Sequence, residues 1–457
     1  MSHPAAPKVS EVAIVGAGFS GTLQAINLIR HDGPRAILIE QRAQLARGVA
    51  YSTVHPEHLL NVRAGNMSAL PDDPDHFVRW LAAEGAGGRQ GFARRADYGR
   101  YLVQLLHDAR QAHPDRLRVV VDRADDIAAD GDGVRIGLAS GGRIAADVAV
   151  LALGNLPPND PPGFGGGDLP AEIYAADPWS GDVVRGLESH DTVVTIGTGL
   201  TMVDVALLLE SRGSTGRMIA LSRRGLAPRA HADGTAPAGG LAERPTQTGA
   251  ALLRSVRRRA AAIGWRAAVD ELRPHTQGMW LTAPEEEQRR FLRHLRPWWD
   301  VHRHRLAPEV AARLARMQAD GRLRIVAGKI AGWTRAGNGI DLSWRTRGGE
   351  TVERAHVRRV INCTGTQGDV TRTHEPLLRN LLRRGLIRPD ARMLGIEVTS
   401  QAETVDAEGR PNPRLLALGP MTRGAFWEIV AVPDIRVQTW AVARKLANAH
   451  WVGGEGL

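Results

Sequence analysis

Glu11-Val12-Ala13-Ile14-Val15-Gly16-Ala17-Gly18-Phe19-Ser20-Gly21 is the most informative segment of the chain. Its apolar run predicts a buried strand, and the residues after the glycines predict a helix. Gly16 allows a tight turn, Gly18 lets the backbone approach a pyrophosphate, and Gly21 lets the helix pack closely on the strand. Phosphates are expected at the N-terminus of that helix, at Phe19 and Ser20, where free N–H groups favour anions. The segment therefore predicts a site for a dinucleotide.

A second glycine turn, Gly197-Thr198-Gly199-Leu200-Thr201-Met202, follows the apolar run 192–196. Gly197 and Gly199 repeat the first two glycine roles, whereas Met202 stands where the third glycine is expected. Leu200 and Thr201 should open the second helix beside the cofactor. Because one such turn holds one dinucleotide, the chain is expected to bind two and to pass electrons between them.

The strands after the two turns end in residues of opposite charge. The first, 36–39, ends at Glu40, about 20 residues beyond the glycines, where an acid binds ribose hydroxyls, and Gln41 follows it. The second, 218–222, ends in Arg223-Arg224, whose guanidinium groups suit a 2′-phosphate. This contrast predicts FAD at the first turn and NADP(H) at the second. NADH in place of NADPH, and exposed arginines without a ligand, remain open.

The segments after each turn resemble each other, which indicates an internal repeat. Residues 116–120 lead through a turn at 131–133 to an apolar strand ending in Gly154. Residues 322–326 lead through a turn at 337–339 to a strand ending in Gly365. Both terminal glycines are candidates for cofactor contact. The prediction is an α/β fold with two Rossmann-like dinucleotide-binding domains.

Prolines at 157, 158, 161 and 162 mark a crossing between the two domains. We expect the first part of an FAD domain over 1–160 and an NAD(P) domain over 161–365, which includes a helical insertion at about 250–320. Residues 366–457 should return to the FAD domain and cover the active site.

The composition restricts the protein class. The chain has 457 residues, a formal net charge of +10 and an isoelectric point near 10.6, but its arginines are scattered and no nucleic-acid motif accompanies them. No apolar stretch is long enough for a membrane span, and residues 1–8 lack the apolar segment of a signal peptide. Cys363 is the only cysteine, which excludes a disulfide or a cysteine-pair redox centre within the chain. We expect a cytoplasmic protein without a metal site.

The segment 47–73 carries polar side chains among small residues, a pattern that suits a loop against a flavin ring. Arg47, Asn61, Asn66 and Met67 are its candidate contacts. An ordinary irregular connection is the equal alternative.

With these residues in view, the chain resembles the two-dinucleotide flavoprotein monooxygenases. Residues 197–206 are similar to the NADPH motif of flavin-containing monooxygenases, and Gly419 lies where FAD enzymes close the flavin site. Many of those enzymes carry an acid after this glycine, and Pro420 departs from that pattern. Four blocks, 16–21, 47–52, 59–73 and 419–428, resemble the branch that contains FAD-dependent urate hydroxylases and L-aspartate N-monooxygenases.

The resemblance implies a monooxygenase in which NAD(P)H reduces the flavin and O2 then forms a flavin C4a-hydroperoxide, with hydroxylation of urate to 5-hydroxyisourate as the leading reaction. Arg423 and Arg436 could then pair with the urate anion, Trp427 could stack on its ring, and Gln438 could donate an amide hydrogen bond. Asn66 is a candidate for contacting the flavin or its peroxide.

Alternatives remain for both the residues and the reaction. A helix N-terminal turn would explain Arg436 and Gln438 equally well, and core packing would explain Trp427. N-hydroxylation of an amine such as aspartate would need an acid for the substrate ammonium, and Glu428 is the candidate. A dinucleotide sensor without activity is the third hypothesis. The expected partners are a small-molecule substrate and O2, with no nucleic acid and no membrane, and a second copy of the chain is a candidate partner.

Overall fold

The structure is a computed structural model that describes residues 9–53, 55–232 and 240–450. The expectation about a signal peptide concerns residues 1–8, which lie outside the described residues. It confirms the α/β fold with two Rossmann-like halves. Two compact units divide the chain: the first comprises the residues up to 54, 63–156 and those from 368, and the second comprises 55–62 and 157–367. Strands and helices are numbered in chain order.

The first unit is built on a six-stranded sheet. Its strands are β1 (Glu11–Val15), β2 (Arg35–Glu40), β3 (Leu117–Val121), β7 (Val148–Leu151), β15 (Glu403–Val405) and β16 (Pro411–Ala417). They lie in the order β15-β16-β7-β1-β2-β3, and only the edge pair β15–β16 is antiparallel. A separate antiparallel sheet contains β4 (Ala124–Asp130), β5 (Gly133–Leu138) and β6 (Arg143–Ala146).

Six α-helices belong to the described part of this unit. They are α1 (Phe19–Arg30), α2 (Gly48–Tyr51), α3 (His76–Ala83), α4 (Arg95–Ala112), α12 (Pro376–Arg383) and α13 (Val432–His450). Helix α1 is almost entirely buried because β1 and β2 lie on one side of it and α13 and α4 pack elsewhere around it. The helix that opens at the glycine turn is therefore held firmly by its surroundings.

The second unit repeats this plan on a seven-stranded sheet. Its strands are β8 (Tyr174–Ala175), β9 (Val193–Ile196), β10 (Met218–Ser222), β11 (Leu323–Ala336), β12 (Gly339–Thr346), β13 (Val352–Val357) and β14 (Arg359–Asn362), in the order β13-β12-β11-β10-β9-β14-β8. The parallel core β14-β9-β10-β11 corresponds strand for strand to β7-β1-β2-β3 of the first unit. The predicted internal repeat is thus present in the strand order.

Helices account for the rest of the second unit. Helix α5 (Leu200–Ser211) follows the second glycine turn. The inserted helices are α6 (Gly249–Ile263), α7 (Trp265–Leu272), α8 (Thr276–Thr282), α9 (Glu285–Arg290), α10 (Arg296–Arg303) and α11 (Pro308–Ala319), with a π-helical turn at Phe291–Leu295.

Candidate dinucleotide sites

The first glycine turn has the geometry that the sequence predicted. Gly16 has a φ of +102°, and a β-carbon there would lie 2.5 Å from the carbonyl oxygen of Ala152. A β-carbon on Gly21 would lie 1.8 Å from the carbonyl oxygen of Gly16. Neither position can take a side chain without moving backbone, because both clashes are with main-chain atoms. Gly18 precedes α1, and a β-carbon on it would lie 3.5 Å from the Gly48 Cα.

Glu40 lies at the end of β2, beside this turn. Its side chain is 5% exposed, and Oε2 accepts a hydrogen bond from the Ala17 N–H at 2.9 Å. Oε1 accepts a hydrogen bond from the Arg42 backbone N–H at 3.1 Å. The acid is therefore attached to the same turn that would bind a pyrophosphate, which fits its expected role toward a ribose. Gln41, the next candidate, is exposed.

A late turn of the chain lies against α1. Gly419 has a φ of +74°, and a β-carbon there would lie 2.4 Å from Ser20 Oγ. The Gly419 N–H donates to Gln438 Oε1 at 2.8 Å, and Gln438 Nε2 donates to Thr422 Oγ1 at 3.2 Å. Thr422 Oγ1 in turn donates to the Gly419 carbonyl at 2.8 Å. Gln438, which is 7% exposed, thus holds both ends of the turn 419–422.

The second glycine turn differs from the first in an informative way. Gly197 has a φ of +118°, and a β-carbon there would lie 2.0 Å from the carbonyl oxygen of Cys363, so packing requires glycine. Gly199 has a negative φ of −84°, and a β-carbon on it would meet none of the described residues within 4 Å. The fold gives no reason for glycine at 199. Open space in front of a glycine at a helix N-terminus is what a phosphate ligand needs.

Thr198 fixes the second turn to the next strand. Its Oγ1 lies 3.0 Å from Ser222 Oγ and donates to the Leu226 carbonyl at 2.5 Å. Leu200 and Thr201 form the first turn of α5 and are half-buried, while Met202 is fully buried. Methionine therefore fills space at the third glycine position. The sequence carried no signal for the Thr198–Ser222 contact.

The two arginines after β10 have different surroundings. Arg223 is exposed, whereas Arg224 Nη2 donates to the carbonyl of Arg293 at 3.2 Å, within the inserted helices. Arg223 is accordingly the better placed of the two for a 2′-phosphate.

Glycines also end the strands that close each half. Gly154 and Gly365 have φ values of +73° and +90°, and neither would bring a β-carbon within 4 Å of another residue that the structure describes. They occupy equivalent positions after β7 and β14, as the repeat predicted.

The structure separates the four candidates of the segment 47–73. Arg47 precedes α2, and its side-chain carbons lie against Gly99. Asn61 belongs to 55–62, which groups with the second unit and not with its sequence neighbours, and its carbonyl lies 3.0 Å from His231 Nε2. The expected FAD segment 1–160 is thus interrupted there. Asn66 is exposed, and Met67 is buried in the first unit.

The expected substrate residues are engaged with protein. The Arg423 guanidinium carbon lies 4.4 Å from the centroid of the Trp427 ring, which is only 3% exposed. Arg436 Nη1 donates to the Ser68 carbonyl at 2.8 Å, and the Gln438 amide is used as described above. Trp427 therefore packs in the interior, and Arg436 and Gln438 hold neighbouring backbone. Glu428 is also buried in this segment.

Possible metal ligands and a single cysteine also occur in the described ranges. No group of three or more His, Cys, Asp or Glu residues there could hold a metal ion. Cys363 is a buried free thiol, and burial raises its pKa well above the usual range, with a smaller contribution from Asp204. In the same ranges, no helix combines the length and the apolar character that a membrane crossing needs.

Comparisons with known proteins give one sequence-family match and several similar folds. Residues 13–156 match the sequence family described as FAD-NAD(P)-binding. No curated protein matches the chain. The fold is similar to that of ornithine N-hydroxylase from Kutzneria sp. 744, whose structure holds reduced FAD, NADP+ and L-ornithine, with a TM-score of 0.65 and 14% identity over 96% of this chain and 99% of that one.

Two other solved structures are as similar. L-lysine 6-monooxygenase from Pseudomonas syringae gives a TM-score of 0.67 at 14% identity, over 96% of this chain and 99% of that one. The FAD-bound cadaverine monooxygenase of Erwinia amylovora gives 0.67 at 11% identity, over 96% and 95%. At these identities the likeness establishes the fold. The family description over residues 13–156 names FAD and NAD(P), which agrees with the expected cofactors.

Proposed function

We propose that the protein is an FAD-dependent monooxygenase that uses NAD(P)H and O2 to hydroxylate the nitrogen of an amine substrate. The observation that carries the proposal is the pair of glycine turns. Gly199 is not required by packing, and open space lies in front of it, so a ligand explains the residue better than the fold does. Two cofactors in one chain fit an enzyme, since a sensor needs only one ligand.

The residues around the first turn are suited to hold FAD. The backbone N–H groups at the start of α1 would bind the pyrophosphate, and Glu40 would bind a ribose. The turn at Gly419, held by Gln438 against Ser20, would support the flavin end. At the second turn, α5 would take the pyrophosphate of NAD(P)H, and Arg223 would favour NADPH. When bound, FAD supplies the hydride acceptor and the oxygen chemistry.

An amine substrate is favoured over urate by the late segment 423–438. Arg423, Arg436 and Gln438, the groups expected to bind the urate anion, all contact protein. Glu428, the acid that the sequence offers for an amine substrate, is buried in the same segment. The solved structures named above are an ornithine N-hydroxylase, an L-lysine 6-monooxygenase and a cadaverine monooxygenase, and the three compounds in their names are primary amines.

The chain lacks the residues that the reduction of a disulfide would require. A dithiol mechanism needs two cysteines, and this chain has one, which is buried. A buried thiol with a raised pKa is also a poor nucleophile.

The test is an oxidation assay on the purified flavoprotein. Oxygen uptake and NADPH or NADH consumption are followed with ornithine, lysine, cadaverine, aspartate and urate, and hydroxylamine products are detected chemically. We expect one amine to raise oxygen uptake, lower peroxide release and yield a hydroxylamine. Urate alone giving coupled turnover would contradict N-hydroxylation, and a colourless protein that binds no flavin would contradict the monooxygenase. Glu428→Gln should raise KM for the amine more than it lowers kcat.

A further inference from the structure

Three of the four tyrosines of the chain belong to one aromatic cluster in the first unit. Tyr51 and Tyr98 have ring centroids 4.7 Å apart, Tyr98 and Tyr101 are 5.6 Å apart, and Tyr101 and Trp80 are 5.7 Å apart. Phe19, in the first glycine turn, lies 6.1 Å from Tyr51. The rings therefore form a continuous series that starts at the dinucleotide turn. We call Tyr51, Tyr98, Tyr101 and Trp80 the aromatic series.

The series ends at the protein surface. Trp80 is half-buried, and its indole N–H donates to Gln104 Oε1 at 2.9 Å. The guanidinium carbon of Arg100, an exposed residue, lies 5.3 Å from the Trp80 ring centroid. The other end is fixed by α2, where Gly48 contacts Gly18 and Tyr51 ends the helix.

Packing accounts for the rings of the series but not for their hydroxyl groups. Tyr98 is fully buried, and its hydroxyl has no hydrogen-bond partner among the residues that the structure describes. Burying an unpartnered hydroxyl costs free energy, and phenylalanine would fill the same space without that cost. Tyrosine and tryptophan, unlike phenylalanine, can be oxidised by one electron. In tyrosine this oxidation is favourable only where a base accepts the phenolic proton, so the hydroxyl that matters is one with such a partner.

Tyr101 has the partner that this oxidation requires. Its hydroxyl lies 3.0 Å from His76 Nδ1 and accepts a hydrogen bond from the Ala69 N–H at 3.3 Å. Burial raises the pKa of Tyr101 to about 12, so the phenolic proton is not lost to water at neutral pH. Burial also lowers the pKa of His76, which leaves its imidazole neutral and able to accept a proton.

From this geometry we propose that Tyr101 and His76 form a redox-active pair, and that the aromatic series carries an oxidising equivalent from the first dinucleotide turn to the surface at Trp80. The proposal rests on the proposed function, because a flavin that reacts with O2 without hydroxylating a substrate releases peroxide. A reduced metal ion in solution, such as Fe2+, splits peroxide into hydroxide and a hydroxyl radical, which is a one-electron oxidant. The pair would protect the cofactor site from such oxidants.

The proposed step moves one electron and one proton of Tyr101, with an oxidant and a reductant from solution. A peroxide-derived radical removes one electron from Tyr101 through Tyr51 and Tyr98, and is itself reduced by that electron. The O–H bond of Tyr101 breaks, its proton forms an N–H bond at His76 Nδ1, and a neutral phenoxyl radical remains. A reductant in solution, such as ascorbate, then supplies one electron through Trp80, and the proton returns from His76 to the phenolate oxygen.

The test generates the oxidant independently of flavin turnover. The purified flavoprotein is oxidised with photochemically produced ruthenium(III) tris-bipyridine, frozen and studied by electron paramagnetic resonance. We expect a tyrosyl radical that is lost in Tyr101→Phe and reduced in His76→Phe. The matched control is Tyr174→Phe, the fourth tyrosine, whose hydroxyl donates to Asp160 Oδ1 at 2.7 Å in the second unit and which should leave the radical unchanged.

Two outcomes would overturn the proposal. One is a radical that persists in Tyr101→Phe, and the other is the absence of any tyrosyl radical in the unmodified protein. If Tyr101→Phe fails to fold, spin-trapping and peptide mapping of the unmodified protein locate the radical instead. We expect the adducts on Tyr101 or Trp80 and not on Tyr174. Hydroxylamine formation is measured separately, so failure of the redox pair and failure of the proposed function are distinguishable.

Discussion

Replacing Gln438 by leucine tests how the turn 419–422 is held. The leucine side chain keeps much of the volume but removes the acceptor of the Gly419 N–H, at 2.8 Å, and the donor to Thr422 Oγ1, at 3.2 Å. A buried N–H left without a partner costs about 1–3 kcal/mol. Thr422 keeps its hydrogen bond to the Gly419 carbonyl, so losing the hydrogen bond from Gln438 costs Thr422 less. We expect the free energy of unfolding to fall by about 1–3 kcal/mol.

The assay separates stability from cofactor affinity. Chemical denaturation of the flavin-free and flavin-bound forms gives the free energies of unfolding, and titration with FAD gives Kd. If the variant loses this free energy only in its flavin-bound form, its Kd for FAD rises about tenfold for each 1.4 kcal/mol lost. Val437→Ala is the matched control, because Val437 is the preceding residue of α13 and is 56% exposed, so its change should lie within about 0.5 kcal/mol.

Gln438→Glu adds a pH dependence with a defined sign. A protonated carboxyl can accept from the Gly419 N–H and donate to Thr422 Oγ1, whereas the ionised form cannot donate. Burial should raise the pKa of this carboxyl in the folded state above its unfolded value of about 4.3. The stability contribution is then fully present below the unfolded pKa and is lost as pH rises through the folded pKa. A Gln438→Leu protein as stable as the unmodified one, with the same Kd for FAD, would show that Gln438 does not hold the turn.

Three further variants and one labelling experiment concern the second unit. Gly199→Ala should fold with unchanged stability, because its β-carbon meets no described residue within 4 Å. It should nevertheless weaken NADP(H) binding at least tenfold, an effect of about 1.4 kcal/mol, as titration with the coenzyme would show. Gly197→Ala should instead destabilise the protein, since its β-carbon would lie 2.0 Å from the Cys363 carbonyl oxygen; equal stability of the two variants would be inconsistent with the turn described. Cys363 should react with a thiol reagent only after unfolding, because it is buried and its pKa is raised, and rapid labelling of the folded protein would contradict that burial. Arg223→Ser should raise the KM for NADPH more than that for NADH, as steady-state kinetics with both coenzymes would show.

The two glycine turns could be predicted from the sequence because their physics is local. A buried strand, a turn with positive φ and a helix N-terminus all fall within a few residues of one another, and glycine is required where a β-carbon would strike backbone, as at Gly16 and Gly197. The repeat of strand order follows from the same local units. Glu40 could be placed because it ends the strand that pairs with the turn.

The late segment could not be predicted in the same way. Gln438 is a substrate candidate by sequence, but its amide bonds a turn 16 to 19 residues earlier, and the sequence gives no register between α13 and that turn. The grouping of 55–62 with the second unit depends on contacts such as His58 Nε2 with the Asp204 carbonyl at 3.1 Å, across 146 residues of sequence. The pairing of Tyr101 with His76 likewise depends on how α3 and α4 pack.

The proposed function requires that one chain bind both a flavin and a nicotinamide dinucleotide and transfer a hydride between them. Anaerobic mixing of the purified flavoprotein with NADPH, and separately with NADH, measures this transfer through the loss of the visible absorbance of oxidised flavin. We expect complete bleaching of bound FAD, which Gly199→Ala slows at low NADPH concentration. Bound FAD that neither nicotinamide coenzyme reduces would contradict the proposed function.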